Sequence, residues 1–257
     1  MPATVDVQEL EAKVKRMYRD VAERPRGEYH FELGRPLAER LGYPPEALGS
    51  IPVGAVESFA GVGYFFDLAD LSEGERVVDL GSGSGMDVFF AALQVGPTGR
   101  VTGIDFTAEQ LAKARRLAAE HGFGQVELVD ARIESVPLPD GSCDCVISNG
   151  VINLAPDKRQ VFAEAARLLR PGGRLAIADI VSQQQLQESI VCDANLWASC
   201  IGGAAQHDAY REAIESPGLS IERAKDNPYD FISARARNAG AKYGVKSISL
   251  LARRDDS

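Results

Sequence analysis

The sequence has few cysteines and histidines, and this scarcity already narrows its class. Its 257 residues include four cysteines and three histidines. The cysteines are too few and too clustered for a disulfide scaffold of this length, so we expect a reducing, cytoplasmic environment. They are Cys143, Cys145, Cys192 and Cys200. The histidines show no metal-ligand spacing, so no metal site is predicted.

Long apolar runs and an excess of basic charge are also absent. No segment reaches the ~18 consecutive apolar residues of a membrane-spanning helix, and residues 1–14 do not resemble a secretory signal, so no membrane partner is expected. The 28 basic residues are outnumbered by 37 acidic ones, which gives a formal net charge of −9. Nucleic-acid binding depends on Lys and Arg contacts with phosphates, so no nucleic-acid partner is expected. The oligomeric state stays open.

What the sequence does contain is a regular alternation of strands and helices from residue 75 onward. Short apolar runs predict strands at Arg76–Leu80, Arg100–Asp105, Val126–Val129, Cys143–Ser148 and Leu175–Ile180. This alternation predicts an α/β fold, a doubly wound, mostly parallel, Rossmann-like sheet with helices on both faces. Thr107 and Gln110 have capping-box spacing at the start of one helix. A late segment, Lys246–Ala252, is expected to return as a strand at the sheet edge.

The regions on either side of this alternation are predicted to complete one domain. An amphipathic helix that ends at Pro25 is predicted from apolar residues at three- and four-residue steps: Val7, Leu10, Val14, Met17 and Val21. Proline and glycine punctuate residues 25–70, which indicates short helices and loops that cover a pocket. We therefore divide the chain into an N-terminal helical cap (1–70), a cofactor-binding core (71–182) and a C-terminal substrate-side region (183–257) that completes the sheet.

The segment Val77–Gly85, which reads VVDLGSGSG, is the strongest functional signal. It places a glycine-rich turn between a buried strand and a helix, at the sheet end where open α/β folds bind ligands. Missing side chains let a ligand approach the backbone, and free N–H groups at the helix start face it. Asp105 ends the next strand, where an acidic residue accepts hydrogen bonds from ribose hydroxyls. The pattern predicts a nucleoside cofactor at the loop Gly81–Gly85.

Two classes of cofactor use this layout. A dinucleotide loop reads G-x-G-x-x-G/A, but its last position is Met86 here, whose large side chain opposes close helix–sheet packing. S-adenosylmethionine (SAM) has no pyrophosphate, and its loop can read G-x-G-x-G after an acidic residue, which here is Asp79. The pattern favours SAM. A nicotinamide-dependent oxidoreductase and a non-catalytic SAM-binding protein stay as alternatives.

Longer stretches of the sequence carry a family resemblance. They are Val77–Arg115, Ile133–Glu134, Val146–Asn149 with Asn153–Leu154, Leu169–Gly173 and Leu196–Ala204. In these stretches the chain resembles the class I SAM-dependent methyltransferases, and most closely the arsenite methyltransferases. The resemblance implies about seven strands and the following cofactor-binding residues: Asp79, Gly81, Ser82, Gly83 and Gly85 for the methionine part, Asp105 and Phe106 for ribose and adenine, Ile133 for adenine, and Asn149 near the transferred methyl.

The resemblance also bears on the methyl acceptor, which we expect to be a small molecule. Arsenite methyltransferases hold As(III) with cysteine thiolates, and Cys200 matches one of them. Val62 stands where a second is expected, and residues 218–227 lack the third. Arsenite therefore stays one candidate, beside O-, N-, S- or C-methylation of a metabolite.

Two residues are candidates for catalysis. Cys200 is the candidate for arsenic, although it also lies on an apolar helical stripe and suits a core position. His207 is a candidate general base for an O or N acceptor, with a surface position as its alternative. Cys143 and Cys145 are two residues apart at a strand start, so both can face one side of the sheet, at the end opposite the cofactor.

Overall fold

The computed structural model describes residues 6–193, 196–197, 201–232 and 234–256. Within these residues, five helices precede the first strand: α1 (Val7–Glu23), α2 (Arg35–Leu41), α3 (Pro45–Gly49), α4 (Val53–Glu57) and α5 (Phe66–Ala69). Asp6 caps α1, because its carboxylate accepts hydrogen bonds from the N–H groups of Gln8 and Glu9. The helix ends just before Pro25, and short helices follow, as the sequence predicts.

One sheet of eight strands runs through the described residues. The strands are β1 (Arg76–Leu80), β2 (Arg100–Asp105), β3 (Val126–Asp130), β4 (Cys143–Asn149), β5 (Leu169–Ser182), β6 (Ala205–Gln206), β7 (Leu219–Asp226) and β8 (Lys246–Arg254). Their order is β3-β2-β1-β4-β5-β8-β7, with β6 beside β5. In the described sheet, β8 runs antiparallel to the other strands, and the remaining pairs are parallel. The predicted mostly parallel α/β fold is confirmed.

Helices cover both faces of the sheet. They are α6 (Met86–Val95), α7 (Ala108–His121), α8 (Lys158–Leu168), α9 (Glu188–Val191), α10 (His207–Glu215) and α11 (Ala234–Tyr243). Side chains of β1 and β4 alternate between two apolar layers: Val77 and Ile147 pack with α6, and Val78 and Val146 pack with α8. Among the described residues, none of these helices combines the length and apolar character that crossing a bilayer requires.

Helix α6 is the most buried helix beside the sheet, and its packing fixes where the glycine-rich loop ends. Val88, Phe89, Ala91, Ala92 and Val95 have no exposed surface. Each large apolar side chain buried in this way contributes about 1.5–3 kcal/mol of stability. The start of α6 is therefore held rigidly against the carboxyl end of the sheet.

The end of the sheet differs from the prediction. Lys246–Arg254 does form a strand, but β8 lies between β5 and β7 rather than at the edge. The edge strand is β7, which we did not predict. Most of its residues are exposed or half-buried, so it lacks the apolar run by which we recognised the other strands. The division of the chain at residues 70 and 182 stays a prediction.

Two local predictions are wrong. Thr107 caps α7 only with its backbone, and the side chain of Gln110 bonds elsewhere, so the capping box does not form. Cys143 and Cys145 belong to opposite layers of the core, because the register of β4 against β5 shifts between them. This irregularity breaks the strict two-residue alternation that placed both cysteines on one side.

Candidate active site

The glycine-rich loop joins β1 to α6 at the carboxyl end of the sheet. Gly81, Gly83 and Gly85 have φ angles of 87°, 53° and 93°, in the left-handed region that favours glycine. The N–H groups of Gly81 and Ser82 both donate to the carbonyl of Ile104, at 2.8 and 2.9 Å. These bonds anchor the loop on β2 and leave its outer side open to a ligand.

Gly81 also has no room for a side chain, and this yields a testable difference. An ideal Cβ on Gly81 would lie 2.4 Å from Val151, whereas a Cβ on Gly122, which has a similar φ of 73°, would meet nothing within 4 Å. Gly122→Ala is expected to cost about 1 kcal/mol of unfolding free energy through backbone strain. Gly81→Ala adds crowding and should cost about 1–3 kcal/mol more. Chemical denaturation of the two variants measures this difference, and equal losses would contradict the loop geometry.

Three carboxylates converge on the cleft beside the loop, which we call the acidic cleft. Asp79 lies in β1, Asp87 in the first turn of α6, and Asp105 at the end of β2, each at most 9% exposed. Among the described residues that line this cleft there is no Lys or Arg. The site therefore concentrates negative charge in a poorly solvated place.

The electrostatics follow from that burial. Desolvation is the largest cause that raises the pKa of all three carboxyl groups, and it raises the pKa of Asp87 to about 6. The neighbouring charges of Asp87 and Asp105 raise the pKa of Asp79 further. A cationic ligand would offset the cost of burying the carboxylates and the repulsion between them. The acidic cleft is therefore suited to a cation.

Asp105 is held by the loop that it faces. Its Oδ2 accepts a hydrogen bond from the Gly83 N–H at 2.9 Å, and its Oδ1 accepts one from the Thr107 N–H at 2.8 Å. Each carboxylate oxygen has further acceptor capacity for a ligand hydroxyl. Ser82 also lines this cleft, and its hydroxyl is buried without a hydrogen-bond partner among the described residues.

A second cleft, mostly apolar, continues from the first. Gly81, Asp105 and Phe106 line both, and Ile133 lines the second, which we call the apolar cleft. Helix α1 covers the apolar cleft with Leu10, Glu11 and Val14. An apolar cleft with polar groups at one end suits a flat base attached to a sugar. The predicted cofactor residues, except Gly85, thus line these two clefts. Gly85 is the N-cap residue of α6 and lines neither cleft.

Asn149 lies at the end of β4 and lines the acidic cleft, but its amide is occupied by the protein. Its Oδ1 accepts hydrogen bonds from the N–H groups of Val62 and Gly63, at 2.8 and 3.3 Å. Its Nδ2 donates to the Gly63 carbonyl and to Asp87 Oδ2, both at 3.0 Å. Asn149 therefore fixes the wall formed by residues 61–63. Its contact with a cofactor stays a prediction.

The sequence pattern did not predict a role for Tyr43 or Asp87 at the site, and it gave Gln110 a different role, in a helix cap. Tyr43 bonds to Asp87, and Gln110 accepts from Ser84 and donates to the carbonyl of Tyr18 at 2.8 Å. Gln110 thereby ties α1 to the loop. No short-range pattern reveals these pairs, because the partners come from distant parts of the chain.

The two catalytic candidates gain no support from this geometry. Cys200 lies outside the described residues. His207 is the first residue of α10, its side chain is 45% exposed, and its Nδ1 lies 3.6 Å from Asp208. It lines neither cleft. Its role as a general base stays a prediction.

Comparison with known proteins places the chain among methyltransferases. A family model described as a methyltransferase domain matches residues 71–218. The arsenite methyltransferase of Halobacterium salinarum is 40% identical over 198 residues, which are 76% of this chain and 50% of that protein. The chain spans about half the length of the curated relatives it matches.

Solved structures agree in fold. CrArsM, an arsenic(III) S-adenosylmethionine methyltransferase from Chlamydomonas reinhardtii, has a TM-score of 0.64 and 29% identity, covering 87% of this chain and 74% of its own. A geranyl diphosphate methyltransferase in complex with GPP and sinefungin has a TM-score of 0.68 at 20% identity, covering 95% and 99%. The resemblance predicted from the sequence is confirmed.

Proposed function

The chain belongs to the methyltransferase domain family, and from that premise we propose that it transfers a methyl group from SAM to a small molecule. The observation that carries this proposal is the set of three buried carboxylates around a bare glycine-rich loop. SAM carries an ammonium, a sulfonium and one carboxylate next to a ribose, so its net charge is positive. Asp79 faces the methionine part, Asp105 binds the ribose hydroxyls, and Phe106 and Ile133 enclose the adenine.

The same observation argues against a nicotinamide cofactor. A dinucleotide brings a pyrophosphate with two negative charges, which three nearby carboxylates would repel. Such cofactors are normally held by free N–H groups and close helix packing. Here the Gly83 N–H already donates to Asp105, and Met86 is buried where a small residue is required.

The protein's contribution to the reaction is binding and orientation. When bound, SAM supplies an electrophilic methyl group on a sulfonium leaving group. Asp105 and the loop fix one end of the cofactor, and the wall held by Asn149 limits where an acceptor approaches. Leu10 and Val14 of α1 exclude water from the nucleoside. A catalytic acid is not required for departure of the sulfur, because the leaving group is neutral.

Arsenite is the first acceptor candidate, because curated relatives are named arsenite methyltransferases. A second candidate is a metabolite acceptor, because the expected thiolates are scarce. Cys143 and Cys145 are buried in the sheet, and burial raises the pKa of Cys145 to about 12, so they stay neutral thiols. Val62 is buried at a position where the resemblance implies a thiolate. Of the four cysteines, Cys200 is the one that the resemblance assigns to arsenic.

The test uses SAM with a labelled methyl group, arsenite and glutathione. If arsenite is the acceptor, the wild-type chain transfers label to arsenic, and Cys200→Ser abolishes the transfer while SAM still binds. Transfer that survives in Cys200→Ser removes that cysteine from the site. If SAM binds but arsenic stays unlabelled, the second candidate is favoured, and a panel of O, N, S and C nucleophiles follows.

A further inference from the structure

Asp87 is the buried acid of the acidic cleft to which the proposed binding mode assigns no part of SAM. Asp87 is 6% exposed, lines the cleft, and lies in the first turn of a helix that is otherwise almost entirely apolar. Tyr43 donates its hydroxyl hydrogen to Asp87 Oδ1 at 2.6 Å, and Asn149 Nδ2 donates to Oδ2 at 3.0 Å. Both partners come from outside α6, from the N-terminal region and from β4.

This arrangement favours the ionised form of Asp87. Each carboxylate oxygen has a dedicated donor, and hydrogen bonds to the charged form stabilise it. The positive end of the α6 dipole acts in the same direction. Burial opposes ionisation, and no Lys or Arg among the described residues lines the cleft to offset the charge. The fold therefore maintains a negative charge that is not neutralised inside the protein.

The position of that charge points to what it recognises. Asp79 precedes the loop in β1, Asp87 follows it in α6, and both residues line the acidic cleft. SAM and its demethylated product, S-adenosylhomocysteine (SAH), share the ammonium and the ribose. They differ by one positive charge, which the sulfonium loses with the methyl group. A carboxylate that pairs with the shared ammonium binds both molecules equally. A second carboxylate that interacts with the sulfonium charge favours SAM over SAH.

We propose that Asp87 selects the charged cofactor over its neutral-sulfur product, and that Tyr43 is a positioning residue that acts through Asp87. This inference rests on the proposed function. Methyl transfer removes the charge that Asp87 attracts, so product formation itself weakens binding and favours exchange of SAH for SAM. Asp79 and Asp105 then bind groups that both molecules possess.

The test is a comparison of dissociation constants for SAM, SAH and sinefungin. Sinefungin is an analogue in which a carbon that bears a protonated amine replaces the sulfonium. In Asp87→Asn, we expect SAM and sinefungin to bind about tenfold more weakly, and SAH to change less than about twofold. Tyr43→Phe keeps the charge but loses one hydrogen bond, so the same ratio should shift by about threefold. Asp67→Asn removes an exposed carboxylate that pairs with Lys225, and controls for net charge.

Equal losses for SAM and SAH in Asp87→Asn would overturn the inference and leave Asp87 a structural residue. If Asp87→Asn does not fold, Tyr43→Phe decides by the same ratio, and an unchanged ratio overturns it. A wild-type chain that binds none of the three ligands contradicts the proposed function instead. Thermal unfolding of each variant accompanies the titrations.

Discussion

Replacement of Asp105 by alanine is expected to weaken SAM binding at least a hundredfold while the chain stays folded. The carboxylate accepts two backbone N–H groups of the loop region, and we assign it the ribose hydroxyls as well. Hydrogen bonds to a charged group contribute about 1.5–3 kcal/mol each, and about 2.7 kcal/mol corresponds to a hundredfold change in affinity. Isothermal titration calorimetry with SAM measures the loss.

Asp130 offers a matched control for this change. It is the register partner of Asp105 on the adjacent strand β3, but it is exposed and lines neither cleft. Asp130→Ala should leave SAM affinity within about twofold, as expected for a surface substitution. If Asp105→Ala binds SAM as the wild-type chain does, the ribose assignment is wrong.

The second large effect concerns pH. The ligand-free protein is expected to become more stable as pH falls from about 7 to about 5, opposite to the usual trend for acidic groups. Burial raises the pKa of Asp79, Asp87 and Asp105, and of Asp179 outside the cleft. The folded state therefore holds protons that the unfolded chain has released, and lowering the pH favours the folded state.

Asp87 sets the scale of this effect. Its pKa rises from 3.8 to about 6, so its contribution grows as pH falls through 6 and is complete near 3.8. That difference corresponds to about 3 kcal/mol. Bound SAM favours the ionised carboxylates, so SAM affinity should rise with pH over the same window. Calorimetric unfolding midpoints between pH 5 and 7, with and without SAM, measure both trends.

Asp87→Asn provides the control for the pH dependence. The variant cannot titrate at this position, so its stability should change less between pH 7 and 5 than that of the wild-type chain. Groups with lowered pKa, such as Asp144 beside Arg170, act in the opposite direction at more acidic pH. A wild-type unfolding temperature that falls steadily from pH 7 to 5 would contradict the three-carboxylate account.

The cofactor loop was predictable because its signals are local. A short apolar run, an acidic residue and alternate glycines stand together in Val77–Gly85, and β1 and β2 begin and end at the predicted residues. Strand β7 was not predicted from the sequence, because an exposed edge strand carries charged side chains where an interior strand carries apolar ones. Gln110 misled us, because a glutamine three residues after a threonine suits both a cap and a distant partner.

The wall beside Asn149, where we propose that the methyl acceptor approaches, was less predictable because its residues come from distant segments of the chain. Asn149 was correctly placed at the end of β4, but its partners Val62 and Gly63 lie 87 and 86 residues earlier in the chain. Tyr43 and Asp87 are separated by 44 residues. Pairs of this kind depend on the packing of the N-terminal helices over the sheet, which no helical or strand period reports.

The central claim, that a cationic nucleoside occupies the joined acidic and apolar clefts, is tested most directly by a crystal structure of the chain with SAM. We expect the ribose hydroxyls within hydrogen-bond distance of Asp105, the adenine between Phe106 and Ile133 beneath α1, and the amino-acid end beside Asp79. SAM bound elsewhere, or a complex in which those clefts stay closed around packed side chains, would contradict the claim.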